Sequence, residues 1–250
     1  TGGRLLSLGI MSKLNLWRPR GVAECWRRPM PPGAAPASAV LAVGAASARR
    51  ALITAHPGGE IRWLELPSEG VPAWGAGAVL DRHGSAEDPA PLISASEDGE
   101  RFATTGWDQR LALRGADGSL LGRTQGVHIG APRALDVASS GALAAAVYQG
   151  GGVLVLTVDA AVDAAVDAGG GRDGSRRGSR RGSLTVDGAT VVAAGPAGRL
   201  LAVGDDQGQV HVFEAVASPE GPSFRVSLKP LWSGGPEPGE RQPGRGAAAV

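Results

Sequence analysis

The sequence predicts an all-β fold built from consecutive four-stranded units, and three observations predict it. The first is a repeat. An apolar strand runs into a small Gly/Asp turn, a second apolar strand follows, and another tight turn leads to a third strand. The clearest copy is Ala193 to Glu214, AAGPAGRLLAVGDDQGQVHVFE. Further copies are Val40 to Leu66, Leu92 to Arg114 and Leu135 to Val158, and a partial copy, Arg4 to Trp17, opens the chain. The second observation is spacing: the third strands recur at roughly 43 to 57 residues, close to the period of a propeller blade. The third is that no segment carries a sustained 3.6-residue apolar period of helical length. The tract Asp159 to Ala168, DAAVDAAVDA, is the one local helix candidate, and its internal repeat reads as slippage.

Each element follows from its residues. In the copy Leu92 to Arg114, Glu97-Asp98-Gly99 makes the first turn and Gly106-Trp107-Asp108-Gln109 the second. In the last copy, Thr190 to Ala194 reads as a short buried strand, and Gly195-Pro196-Ala197-Gly198 turns the chain. Leu200 to Val203 returns, and Gly204-Asp205-Asp206-Gln207-Gly208 turns it again. Gln209 to Glu214 then alternates polar and apolar residues, the period-2 signature of a half-buried strand. Glycine takes positive φ without penalty and aspartate bonds its own backbone, which is why both dominate these turns. The fourth, outer strand of each unit must come from the linkers, with Ser119 to Arg123 and Ser183 to Val186 as candidates. Outer strands are exposed, so weaker patterning is expected there.

The expected organisation is a run of blades over residues 1–233, with about four complete copies. That number makes an incomplete ring with open faces. Two stretches read as disordered because they offer little to bury: a low-complexity insertion, Ala160 to Gly182, and a Gly/Pro-rich tail, residues 234–250. The chain opens at Thr1 within what reads as a strand, so it is expected to be a piece of a longer protein.

Composition narrows the function classes. A net charge of +1 gives no push toward nucleic acid or an anionic membrane. A single cysteine, Cys25, excludes an internal disulfide and a multi-cysteine metal site. No run of about 18 apolar residues is present to span a bilayer as a helix. Cores rich in Ala and Val bury less area per residue than cores of Leu and Phe, so the blades should be thinly stabilised.

Few residues suggest a site. His56, His83, His128 and His211 are scattered, whereas zinc needs three or four converging ligands. No G-x-S-x-G elbow or similar activated nucleophile occurs. Asp98, Asp108 and Asp206 fall at blade turns, where each carboxylate is expected to accept N–H bonds of its own turn; a charged rim for a partner is the alternative. Trp63 and Trp107 read either as packing between blades or as anchors for a partner. Arg176-Arg177-Gly178-Ser179 and Arg180-Arg181-Gly182-Ser183 place two arginines before a serine, the preference of basophilic kinases. Ser179 and Ser183 are therefore candidate phosphorylation sites, set against the plainer reading of a solvated low-complexity loop.

The third strand Asp205-Asp206-Gln207-Gly208-Gln209-Val210-His211-Val212-Phe213 resembles those of the WD-repeat superfamily, although the usual Trp-Asp ending is absent. The order of segments, from Leu5–Trp17 through Thr54–Trp63, Phe102–Leu111 and Pro132–Leu156 to Leu201–Phe213, is similar to the middle of the actin-interacting protein 1 family. The resemblance spans about Gly3 to Ala215, and the insertion departs from it. It implies a non-catalytic interaction platform in the cytoplasm, associated with the cytoskeleton, with actin and cofilin as partners and filament disassembly as the outcome. It implies no cofactor, metal, small-molecule substrate, nucleic acid or membrane, and it carries over no binding residue. The alternatives are a WD-repeat scaffold subunit of another complex, and an enzyme, which would need acids and histidines lining a central channel.

Overall fold

The computed structural model describes residues 5–9, 13–17, 38–43, 50–66, 78–124, 130–158, 179–218 and 225–234. Every regular element among them is a strand. A hairpin of β1 (Leu5–Gly9) and β2 (Lys13–Trp17) comes first. Blade 1 then holds β3 (Ser38–Val43), β4 (Arg50–Ala55), β5 (Glu60–Leu66) and β6 (Ala78–Arg82). Blade 2 holds β7 (Leu92–Ala95), β8 (Arg101–Thr105), β9 (Leu111–Gly115) and β10 (Leu120–Arg123). Blade 3 holds β11 (Pro132–Val137), β12 (Leu143–Tyr148), β13 (Gly152–Val158) and β14 (Ser179–Thr185). Blade 4 holds β15 (Ala189–Ala194), β16 (Leu200–Asp205), β17 (Val210–Ser218) and β18 (Arg225–Gly234).

Within each blade the strands pair antiparallel in chain order. The four-strand repeat expected from the sequence is the architecture found. The first strands β3, β7, β11 and β15 lie side by side in that order, with β1 beside β3, so the blades form an arc about one axis. Blades 3 and 4 also touch at their outer strands, through one parallel bridge between Arg181 and Arg225.

The outer strands show how linkers complete a blade. β10 and β14 fall where Ser119–Arg123 and Ser183–Val186 suggest them. β14 starts earlier, however, at Ser179, and pairs along all of β13. The stretch expected to be disordered from Ala160 to Gly182 therefore ends in strand over its last four residues. The exposed edge of β13 offers a row of unpaired backbone groups, and an extended Arg/Ser segment satisfies them without needing an apolar pattern. Residues 159–178, the helix candidate included, lie outside the described residues, as do Cys25, His128 and the tail beyond Gly234.

The core lies between blades. Ala103, Leu111, Leu113 and Leu121 of blade 2 pack on Ala144, Ala146, Tyr148 and Leu156 of blade 3. Leu143, Ala145, Val147, Val153 and Val155, on the other side of blade 3, pack on Ala189, Val192, Leu201 and Val203 of blade 4. Blade 3 is covered on both faces, so β12, LAAAVY, is buried at every position. Fully burying a Leu or Val there is worth roughly 1.5–3 kcal/mol relative to exposure, and each alanine contributes much less.

Candidate functional site

In an antiparallel blade the second turn and the linker to the next blade share one end of the sheet. At that end one backbone pattern repeats. The amides of Trp107, Gln149 and Asp206 donate to the carbonyls of His83, Ala131 and Gly188, each in the preceding linker. The amides of His83 and Val186 reach back to the carbonyls of Gly59 and Gly151, in the turn of the previous blade. These bonds hold turns and linkers together as one surface. The backbone at the fourth turn position is left-handed in every blade: Gly59 at φ 74°, Gln109 at 58°, Gly151 at 78° and Gly208 at 79°. Gln109 is the exception, because a side chain there meets the crowding that favours glycine.

Beneath the turn of blade 2 sits a buried network. His83 is fully buried in the linker. Its Nδ1 lies 2.9 Å from Asp108 Oδ1, and its Nε2 lies 2.8 Å from Thr104 Oγ1. A carboxylate only accepts, so Nδ1 carries the proton and donates to Asp108, while Nε2 pairs with the threonine hydroxyl. Asp108 Oδ1 also accepts the amide of Arg110, 3.2 Å away. The carboxylate thus ties the turn to the linker, and His83 carries the tie on to β8.

A second cluster joins blades 1 and 2. Asp81 on β6 accepts from Arg114 Nη2 on β9 at 2.6 Å and from Arg123 on β10. Burial pushes the Asp81 carboxyl up, but the Arg114 hydrogen bond and the charges of His83, Arg114 and Arg123 outweigh it and hold the group below its ordinary value. In blade 1 the turn is held differently: His56 Nε2 pairs with Thr54 Oγ1 at 2.8 Å. Burial, then the nearby charge of Arg62, depresses the basicity of His56 despite the opposing Glu60.

The sequence-selected residues disperse over the arc. Asp98 accepts from Ser96 Oγ and the Glu100 amide inside its own first turn, at the opposite end of blade 2. Asp206 is not the carboxylate that closes its turn. That is Asp205, whose Oδ1 accepts the amides of Gln207 and Gln209 and whose Oδ2 lies 3.1 Å from His211 Nε2. Asp206 sits one position further on, bonds Gln207 Nε2 and crowds Gly188. Trp63 packs between blades, its Nε1 donating to the Ala116 carbonyl of blade 2 at 3.4 Å. Trp107 stands 40% exposed at the tip of its turn. Ser179 and Ser183 face Val158 and Leu154 across the β13–β14 ladder. Either serine would have to leave that ladder to enter a kinase cleft.

Sequence reasoning weighed His83 only as a metal ligand and missed its network. The signal was spacing: His83 precedes its threonine by 21 residues and its aspartate by 25, one blade-strand and one turn further on. Among the described residues, no three His, Cys, Asp or Glu side chains converge as they would around a metal ion.

No family model matches this chain, and no curated protein matches it. Solved structures do. Hsv2 from Kluyveromyces lactis superposes with a TM-score of 0.61 at 12% identity, covering 93% of this chain and 70% of that one. A form of the same protein with a complete 6CD loop gives 0.60 at 12% identity, over 93% and 71%. A further Hsv2 structure gives 0.57 at 12% identity, over 94% and 74%. The likeness identifies the four blades as those of a β-propeller.

Proposed function

We propose that this chain is a non-catalytic protein-interaction platform, and that partners dock where the second turns meet the linkers. The observation that carries the reading is Trp107. Its amide is bound to the linker, its neighbour Asp108 is bound to His83, and the next residue, Gln109, is held in a left-handed conformation. The equivalent residues in the other blades are Pro57, Gln149 and Asp206, none of them a large apolar group. A large indole on a turn already fixed loses little freedom on binding and buries much area, the character of an interface anchor. A left-handed residue retained where its counterparts are glycines is the kind of local strain that gathers at working surfaces.

The finer reading is an actin-interacting protein 1-like protein with WD repeats, cytoplasmic and associated with the cytoskeleton, that binds cofilin-decorated actin and promotes filament disassembly. The order of sequence segments supports it, and a propeller is compatible with it. Co-sedimentation with actin filaments, with and without cofilin, tests it. The chain should pellet with cofilin-decorated filaments, and Trp107→Ala should abolish pelleting while leaving the circular dichroism spectrum unchanged. No pelleting at all would remove the actin reading and favour a scaffold subunit of another complex. Pelleting unchanged in Trp107→Ala would remove the proposed docking end.

A further inference from the structure

The outer strand of blade 3 displays a serine beside an arginine on its exposed side. β14 pairs with β13 so that Arg181 stands opposite Leu156, Ser183 opposite Leu154 and Thr185 opposite Gly152. Alternate residues of a strand share a face, so Arg181, Ser183 and Thr185 line one side of β14. All three are exposed, whereas Gly182 and Leu184 between them are half-buried. Of these five residues, Leu184 is the one that packs on the core between blades 3 and 4. The other edge of β14 meets β18 at the bridge between Arg181 and Arg225, where two cationic residues lie side by side.

This arrangement meets both demands of a modification site. The first is entry. Arg180 and Arg181 stand third and second before Ser183, and the segment is already extended. Its release costs backbone pairing along one edge of β13 and the contact of one leucine. Elements with few buried apolar contacts open locally while the rest of the sheet stays closed. The second demand is that the product fits. A phosphate on Ser183 would stand on the exposed side, so β14 re-pairs with β13 without burying the charge. Same-face neighbours on a strand are about 7 Å apart, within reach of an arginine side chain. A phosphate carries about −1.5 to −2 charges at pH 7 and accepts strong hydrogen bonds from guanidinium. It would also offset the like charges of Arg181 and Arg225, which disfavour the bridge as it stands.

We propose that Ser183 accepts a phosphoryl group from a nucleoside triphosphate, delivered by an arginine-selecting protein kinase, and that the phosphate fastens β14 in place through Arg181. In the transfer Ser183 Oγ attacks the γ-phosphorus. The new O–P bond forms as the bond to the departing nucleoside diphosphate breaks, and the hydroxyl proton passes to the kinase's carboxylate base. The site lies on blade 3 and does not rest on the docking role of Trp107.

Incubation of the 250-residue chain with such a kinase, ATP and magnesium tests the proposal, read by tandem mass spectrometry and then by amide hydrogen exchange. Ser183 should take up one phosphate with an unchanged circular dichroism spectrum. Ser179→Ala should take it up equally, and Ser183→Ala should lose it. In the phosphorylated chain the amides of β14 should exchange more slowly than in the unmodified one. That gain should fall away in about 1 M salt, which screens an exposed ion pair. No phosphate at Ser183 in the folded chain overturns the site, as does uptake only after the strand signal in circular dichroism is lost. Exchange in β14 that is unchanged or faster after phosphorylation, or a gain indifferent to salt, overturns the fastening.

Discussion

Blades 3 and 4 share one topology and one register, yet their burial differs completely. β12 of blade 3 is buried along its whole length, whereas β16 of blade 4 runs exposed, buried, half-buried and buried over Leu200 to Val203. The strands differ because of what stands beside them. Among the described residues, blade 3 lies between two blades and blade 4 packs against a blade on one side. A strand covered on both faces reads as a continuous apolar run, and a strand covered on one face reads as an alternation. The number of neighbours, more than local propensity, sets how much each residue contributes.

The largest test of that difference is a pair of truncations at equivalent positions. Leu143→Ala in blade 3 should destabilise the fold by about 2–5 kcal/mol, because it removes a fully buried side chain and leaves a cavity. Leu200→Ala in blade 4 should cost under about 1 kcal/mol, since its side chain is nearly half exposed. Urea denaturation midpoints of the two variants read the contrast directly; equal shifts would erase it.

A smaller effect should follow loss of a bond between blades. The Tyr148 hydroxyl on β12 pairs with Thr105 Oγ1 on β8 of blade 2. Burial pushes the phenol well above the ordinary tyrosine range, so it stays protonated across the working pH range. Tyr148→Phe should cost about 1–2 kcal/mol by leaving the threonine without this partner. Blade 4 has Asp205 at the corresponding turn position, so the same kind of contact has no counterpart there.

The left-handed turn positions separate the blades more finely. Gln109→Gly should stabilise the chain by up to about 1 kcal/mol, since relief of the left-handed strain exceeds the entropy that glycine adds to the unfolded state. Gly151→Ala in blade 3 should do the reverse, because an added Cβ would stand 2.6 Å from the Val186 carbonyl oxygen. Thermal melts of the two variants should move in opposite directions.

The smallest effect concerns pH. In blade 4 the Asp205 carboxyl is held below its ordinary value by the His211 hydrogen bond and by the amides of Gln209 and Gln207. A depressed carboxyl contributes stability above its unfolded value, about 3.9, and loses it as pH falls through the folded value. The turn of blade 3, Tyr148-Gln149-Gly150-Gly151, holds no group that titrates in that range. Acidification below about pH 4 should therefore loosen the amides of Gln207 and Gln209 before those of Gln149 and Gly151, as read by nuclear magnetic resonance. Asp205→Asn should flatten the response.

The repeat, its turns and three of the four strands in each blade were legible because glycine and aspartate punctuate short apolar runs. Ala193 to Glu214 was the clearest copy because its strands alternate in burial among the described residues. Which side of that alternation meets the neighbouring blade was not legible. Val210 and Val212 face the side away from blade 3, while the polar His211 shares its side with the buried Val203. A period of two shows that a strand has two unlike faces, and which face meets the next blade depends on neighbours far along the chain. β14 was only partly legible, since an outer strand is held by backbone pairing and Arg/Ser residues satisfy that as well as apolar ones do. The His83–Thr104–Asp108 network was missed because its members come from a linker, a strand and a turn.

Amide hydrogen exchange, followed strand by strand, tests most directly whether blade 3 is closed on both faces and blade 4 on one. β12 and β13 should exchange slowest, at the rate set by global unfolding, while β17 and β18 open locally and exchange faster. Equal protection of the two blades, or slower exchange in blade 4, would contradict the account.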